Sequence, residues 1–166
     1  MLPFRGATLL EYVAGEVQAA AGSVTIVGPR HRYGHLPWPV EEDRTAGLGP
    51  LSGLETALAV TAADFNLVVA CDMPAIEAAF LGLLLDEAQR TNADCLAPEG
   101  PRGPEPLCAV YHRRCLEALR RSIENGQLKL LDAIAGLRPV WFPVARAAWF
   151  ENVNTPADWS NRKVHV

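Results

Sequence analysis

The sequence predicts an α/β protein, a three-layer α/β/α sandwich around a mostly parallel sheet. Short apolar runs rich in β-branched residues alternate along the chain with longer segments in which apolar residues recur at helical spacing. The chain has 166 residues, 49% of them hydrophobic, which suits one core of ordinary size. We therefore expect a single domain over residues 1–166.

The first half of the chain predicts two helices and three strands. Thr8, with Glu11 three residues later, is typical of a capping box that begins a helix, and Gly22 ends that helix. Ser52 and Glu55 repeat the same spacing at the start of a second helix, over residues 51–63. Strands are expected at residues 24–27, 36–40 and 66–71.

The second half continues the alternation. Helices are expected at residues 76–90, 113–124 and 128–135, and strands at 94–98, 106–111 and 140–144. The segment 98–106 is rich in glycine and proline, which favours a mobile surface loop.

Asp72 is the first candidate for chemistry. It follows the apolar run 67–70 and comes just before Pro74, which cannot continue a strand. The carboxyl ends of strands in open α/β sheets border a crevice in which ligands bind, so Asp72 is expected in such a crevice. The alternative is a surface aspartate in a turn before proline.

A glycine-rich segment follows Asp43 and leads into the second helix. Gly47, Gly49 and Gly53 would allow close approach of the backbone to a ligand, and a helix start favours anions or a nucleobase edge. The alternative is a glycine-rich loop that only turns. The acidic run that ends at Asp43 is equally compatible with a solvated surface.

Two further clusters carry polar groups. Asn152 and Asn154 are two residues apart and would point the same way, before Thr155, a typical helix N-cap. Paired amides can bind phosphate, sugar or a metal-bound water, although asparagine also often closes turns. Glu105 precedes Pro106 and a strand, and by composition alone it marks only where that strand begins.

Composition excludes several classes of protein. A net charge of −4 argues against coating of nucleic acid, which needs a basic face. No apolar run is long enough for a membrane span and no signal-peptide layout opens the chain, so a cytoplasmic location is expected. The four cysteines have no C-x-x-C spacing, and we expect free thiols rather than a zinc site.

Taken in order, these motifs resemble the MobA-like nucleotidyltransferases, and within them the molybdenum cofactor guanylyltransferases. The resemblance is carried by Gly-Pro-Leu-Ser-Gly-Leu at 49–54, Cys-Asp-Met-Pro at 71–74, Pro-Leu-Cys-Ala-Val-Tyr at 106–111 and Asn-Val-Asn-Thr-Pro-Ala-Asp at 152–158. It implies a Rossmann-like sheet of the nucleotide-diphospho-sugar transferase type. It also implies transfer of GMP from GTP to molybdopterin, with molybdoenzymes or other cofactor-biosynthesis proteins as further partners.

The resemblance assigns roles to eight residues of this sequence. Asp72 would hold Mg²⁺, and Asn152 and Asn154 would face the metal or the pterin phosphate as catalytic residues. The nucleotide would be bound by Asp43, Gly49, Pro50, Leu51 and Gly53.

One part of the family pattern is missing from this chain. Family members open with a Leu-Ala-Gly-Gly loop that runs through Arg-Met-Gly to an Asp-Lys pair, whereas residues 1–10 resemble the sequence that follows that lysine. The resemblance thus implies an N-terminally truncated domain that lacks the first central strand and the loop cradling the phosphates. A start site assigned too far downstream is one explanation. A catalytically inactive relative that binds nucleotide, pterin or a partner protein is another, and a transferase using CTP or a sugar phosphate is a third alternative for function.

Overall fold

The computed structural model describes residues 3–45 and 47–153. Within them the helices are α1 (Leu9–Ala21), α2 (Arg30–Tyr33), α3 (Pro50–Val60), α4 (Ala78–Thr91), α5 (Leu116–Glu124) and α6 (Leu130–Ala135). The strands are β1 (Pro3–Phe4), β2 (Ala7–Thr8), β3 (Ile26–Val27), β4 (Val40–Glu41), β5 (Phe65–Val69), β6 (Cys95–Gly100), β7 (Gly103–Pro104), β8 (Cys108–His112) and β9 (Pro139–Pro143).

The main sheet has the strand order β5-β8-β6-β7, with β9 beside β6. Strand β8 runs antiparallel to both β5 and β6, whereas β9 runs parallel to β6. The α/β class is confirmed, but the strand pairing is mixed rather than mostly parallel. The cause is the connection between β6 and β8, which contains no helix, and a short connection can join only antiparallel strands. Part of the expected mobile loop forms this return, because β6 and β7 pair as a hairpin.

Alternate residues of the sheet face two helical layers, so the three-layer architecture is confirmed. In β8, Cys108 and Val110 belong to the core cluster that contains α1 and α4, whereas Ala109 and Tyr111 belong to the cluster that contains α3, α5 and α6. This separation follows from the period of two in a strand. It explains why the central strands read as continuous apolar runs.

A second, smaller sheet stands apart from the main one. Strands β3 and β4 pair in parallel, and a groove separates β3 from β5. Among the described residues, no strand pairs with the second edge of β3 or of β5.

The two predicted capping boxes had opposite outcomes. At α1, Glu11 N–H donates to Thr8 Oγ1 at 3.2 Å and Thr8 N–H donates to Glu11 Oε2 at 2.8 Å, as predicted. The prediction for Ser52 and Glu55 was wrong, because α3 begins at Pro50. Ser52 Oγ instead donates to Thr45 C=O at 2.6 Å. Proline suits the first position of a helix, so α3 starts before the pair.

In the stretches 3–45 and 47–153, no helix has both the length and the apolar character that crossing a bilayer requires. All four cysteines are free thiols, and Cys71 is the exposed one.

Candidate active site

Asp72 lies three residues beyond β5, at the carboxyl end of that strand, where the sequence predicted it. Two backbone hydrogen bonds fix the surrounding chain: Ala70 N–H donates to Leu107 C=O at 2.7 Å, and Val153 N–H donates to Asp72 C=O at 2.9 Å. The Asp72 side chain is half-buried, and its Oδ1 is shielded from solvent without a hydrogen-bond partner among the described residues. Burial raises the pKa of Asp72. A carboxylate in this state is stabilised by a nearby positive charge.

Asp72 borders the groove between β3 and β5, which α1 and α3 close on either side. The groove has a volume of about 530 Å³. Its walls are mainly apolar and include Val13, Val17, Ile26, Leu54, Leu67 and Val69. Five residues predicted for the site line it together: Asp43, Gly49, Pro50, Gly53 and Asp72. Among the described residues that line the groove there is no lysine or arginine.

The start of α3 forms one side of the groove. Gly49 precedes the helix with φ of 71°, a conformation that favours glycine, and Pro50 is the first helical residue. Asp43 lies against the first turns of the helix, because a Cβ built on Gly53 would be 3.6 Å from Asp43 Oδ1. A carboxylate and a helix start therefore border the same space.

Leu51 differs from the other predicted nucleotide-binding residues. Its side chain is 0% exposed and packs in the core with Leu54 and Leu58. The structure thus places this side chain in the core instead of the groove. Its backbone N–H belongs to the first turn of α3, where amide groups have no partner within the helix.

The C-terminal part of the described chain is hydrogen-bonded to the backbone of Asp72 and anchored in the core. Phe150 and Val153 are buried in the core, and Trp149 stacks on Phe80 with ring centroids 4.0 Å apart. Asn152 lies exposed between these anchors, next to the residue whose amide bonds to Asp72. Asn154, like the predicted helix start at Thr155, Pro156 and Asp158, lies outside the described residues.

Glu105, which interacts electrostatically with Asp72 and with Arg102, was not assigned to the site from the sequence. Glu105 precedes β8 and is half-buried. Burial is the largest influence on its pKa and raises it. The Arg102 guanidinium lowers the pKa of Glu105, and the Asp72 carboxylate raises it. Arg102 Nη2 also donates to Phe150 C=O at 2.5 Å. Glu105 N–H donates to Pro98 C=O at 2.9 Å and its C=O accepts from Cys108 N–H at 3.0 Å, so it lies beside β6 at a turn before β8. No local pattern in the sequence encodes this placement.

This fold and this crevice at the strand ends define a class, the α/β proteins that bind ligands at the carboxyl edge of a sheet. The comparison with known proteins specifies it further: the MobA-like NTP transferase domain matches residues 1–139. The chain belongs to this family, which confirms the resemblance found in the sequence.

Individual relatives agree with this assignment. The chain is similar to the probable molybdenum cofactor guanylyltransferases of Carboxydothermus hydrogenoformans (27% identity over 96% of this chain and 83% of the relative) and Deinococcus radiodurans (30% identity over 93% and 80%). Among solved structures it is similar to molybdopterin-guanine dinucleotide biosynthesis protein A from Archaeoglobus fulgidus. That match has 25% identity and a TM-score of 0.81, and it covers 96% of this chain and 86% of the other.

Proposed function

We propose that this chain transfers GMP from GTP to the terminal phosphate of molybdopterin and so forms a guanine dinucleotide cofactor. The names of the relatives support the substrates. The observation that carries the proposal is the groove, in which Asp43, the start of α3 and the half-buried Asp72 border one space. The proposal includes a cytoplasmic location and delivery of the product to molybdoenzymes or to other cofactor-biosynthesis proteins.

The reaction depends more on neutralising the negative charge of the reacting phosphates than on a general base to deprotonate the attacking group. A phosphate oxygen of molybdopterin bonds to the α-phosphorus of GTP, and the bond from that phosphorus to the oxygen bridging the β-phosphate breaks, which releases pyrophosphate. A phosphate monoester has a second pKa of about 6, so the attacking group is largely ionised at neutral pH. The protein therefore contributes mainly alignment and electrostatic stabilisation.

Asp72 fits the role of a Mg²⁺ ligand. Its shielded Oδ1 has no partner among the described residues, and its pKa is raised by burial, so the ionised form lacks a compensating charge. No group of three or more His, Cys, Asp or Glu in the described stretches could hold a metal alone. This suits Mg²⁺, which is usually bound by one or two carboxylates together with substrate phosphates. When bound, Mg²⁺ would supply positive charge beside the triphosphate.

Asp43 and the start of α3 fit a guanine edge. Guanine presents neighbouring N–H donors and the O6 acceptor. The Asp43 carboxylate can accept from the donors, and the first-turn amide of Leu51 can donate to the acceptor. Gly49, Pro50 and Gly53 leave room for the base, since none of them places a long side chain in the groove. Asn152 and Asn154 would bind the pterin phosphate or the metal.

A second candidate function is binding of nucleotide or pterin without transfer. It is favoured by the absence of lysine and arginine from the described lining of the groove, because phosphoryl transfer usually relies on such cations. A transferase that uses CTP or a sugar phosphate is the remaining alternative.

Titration of the chain with GTP, with and without Mg²⁺, tests the proposal. We expect Mg²⁺-dependent binding that Asp72→Asn weakens about tenfold or more, in line with the effect of disturbing a metal site. The matched control is Asp86→Asn on the exposed surface of α4, which should bind like the unmodified chain. Unchanged binding by Asp72→Asn would contradict the metal role.

Two further measurements separate the alternatives. Equal or tighter binding of CTP or UTP in parallel titrations would contradict the preference for guanine. Pyrophosphate release on addition of molybdopterin would support transfer, whereas GTP binding without release would favour the binding function.

A further inference from the structure

We infer that Ser52 and Thr56 are positioning residues of the site. Their buried hydroxyl groups hold the backbone that follows Asp43 against α3, and this placement of Asp43 determines how strongly the chain prefers guanine. The inference rests on the proposed function, because it concerns the carboxylate assigned there to the guanine edge. It adds two residues that lie behind the groove and do not line it.

Helix α3 carries an unusual set of buried polar side chains. Among the described residues, each buried side chain that is charged or ends in an aliphatic hydroxyl group lies in this helix: Ser52, Glu55 and Thr56, at 2%, 7% and 1% exposure. Burial of a polar group costs stability unless the group has a partner. Glu55 has its partner in α5, because Arg120 Nε donates to Glu55 Oε1 at 2.9 Å. The two hydroxyl groups have theirs in the segment after Asp43.

Both hydroxyl groups bond to the backbone of the two residues that follow Asp43. Thr56 Oγ1 accepts from Arg44 N–H at 3.1 Å, and Ser52 Oγ donates to Thr45 C=O at 2.6 Å. Residues four apart lie on the same face of a helix, so the two hydrogen bonds act side by side. Together they fix the backbone on the C-terminal side of Asp43 relative to α3.

The position of this backbone determines where the Asp43 carboxylate lies. A Cβ built on Gly53, next to Ser52 in the helix, would be 3.6 Å from Asp43 Oδ1. Both Asp43 and Gly53 line the groove. A carboxylate that is already held in place loses little conformational freedom when a ligand binds, and it accepts best from donors that match its position. The two hydroxyl groups therefore favour one arrangement of hydrogen-bond donors on the base.

Dissociation constants for GTP and ITP, measured with Mg²⁺ on the 166-residue chain, test the inference. Hypoxanthine lacks the 2-amino group of guanine, so ITP offers Asp43 one donor fewer. We expect the unmodified chain to prefer GTP by about tenfold or more, the usual effect of a hydrogen bond to a charged group. Thr56→Val keeps a branched side chain but removes the hydroxyl group, and it should reduce this preference about fivefold through weaker binding of GTP.

Three further variants separate positioning from a general structural role. Ser52→Ala removes the other hydrogen bond and should also reduce the preference, whereas Thr56→Ser retains the hydroxyl group and should retain the preference. The matched control is Thr91→Val, which removes a hydroxyl group that donates to Glu87 C=O at 2.8 Å in α4 and should leave the preference unchanged. A general loss of stability weakens the binding of both nucleotides alike, so the ratio of the two constants reports the position of Asp43.

The double variant Asp43→Asn/Thr56→Val shows whether Thr56 acts through Asp43. Asp43→Asn alone should remove the preference for GTP, so the addition of Thr56→Val should change it no further. Additive effects on the ratio would overturn the inference, as would a preference that neither Thr56→Val nor Ser52→Ala alters.

The same measurements separate the inference from the proposed function. A preference for GTP that depends on Asp43 but on neither hydroxyl group defeats only the inference. An unmodified chain that binds both nucleotides equally, or neither, defeats the guanine contact of the proposed function and the inference with it. A preference that depends on Asp43 and Thr56, in a chain that releases no pyrophosphate with molybdopterin, defeats only the transfer.

Discussion

Asp94 shows how one carboxylate can join three elements. It immediately precedes β6 and accepts hydrogen bonds from Arg114 Nε at 2.5 Å and Arg138 Nε at 3.1 Å, at the starts of the segments leading to α5 and β9. The hydrogen bond from the Arg138 side chain is the largest cause that lowers the pKa of Asp94 to about 2, and Arg114 adds to it. The ionised form is therefore stabilised by the fold.

Asp94→Asn should lower the free energy of unfolding at neutral pH by roughly 1 kcal/mol, a value that allows for solvent screening of these partly exposed arginines. The folded-state pKa of about 2 lies below the ordinary aspartate pKa of about 3.9. The contribution is therefore complete above about pH 4 and is lost as the pH falls toward 2. Urea unfolding of both chains at pH 7, 4 and 3 measures this. A difference independent of pH would contradict the prediction.

At the scale of elements, the start of α3 combines two conflicting demands. A glycine within a helix costs stability, yet Gly53 keeps the wall of the groove open beside Asp43. The helix thus gives up some stability where the proposed nucleotide binds.

Gly53→Ala should stabilise the fold and weaken GTP binding. Alanine in a helix interior is favoured over glycine by about 0.5–1 kcal/mol, and the new methyl group would meet Asp43 Oδ1 at an ordinary contact distance of 3.6 Å. The methyl group would, however, occupy space in the groove. Thermal unfolding and GTP titration measure the two effects.

Gly82→Ala is the matched control for this change. Gly82 lies within α4, and a Cβ there meets no atom within 4 Å. It should give a similar stabilisation with unchanged GTP affinity. If Gly53→Ala bound GTP as tightly as the control, Gly53 would have no part in the site.

Local sequence patterns predicted the structural features that depend on residues adjacent in the chain. The apolar run before Asp72 placed that residue at a strand end, and the spacing of Thr8 and Glu11 identified a real capping box. The same spacing failed at Ser52, because the pattern cannot show that Pro50 already starts the helix. The sequence could not reveal that β8 runs antiparallel between β5 and β6, because these pairings join distant segments.

At the scale of the whole molecule, the groove separates the small β3-β4 sheet from the main sheet. Both β3 and β5 leave one edge without a strand partner among the described residues, and apolar side chains border the space between them. Open strand edges are sites at which another chain can add a strand. The 166-residue chain therefore has a route to self-association.

Light scattering over a range of protein concentrations should show association of this chain. Thr25→Lys, which places a charge in the groove beside β3, should reduce it, since charged edge residues oppose strand addition. Ala19→Lys on the exposed surface of α1 adds the same charge outside the groove and should have little effect. A monodisperse monomer at every concentration would contradict the prediction.

Because the Val153 amide is hydrogen-bonded to Asp72, its hydrogen exchange reports on the conformation of the candidate site. The Val153 amide donates directly to the carbonyl group of Asp72, so it can exchange its hydrogen for deuterium only when this contact opens. The exchange rate of one peptide group near the C-terminus therefore records how often the crevice loosens. A ligand that steadies Asp72 slows that exchange, whatever the ligand is and whether or not it reacts.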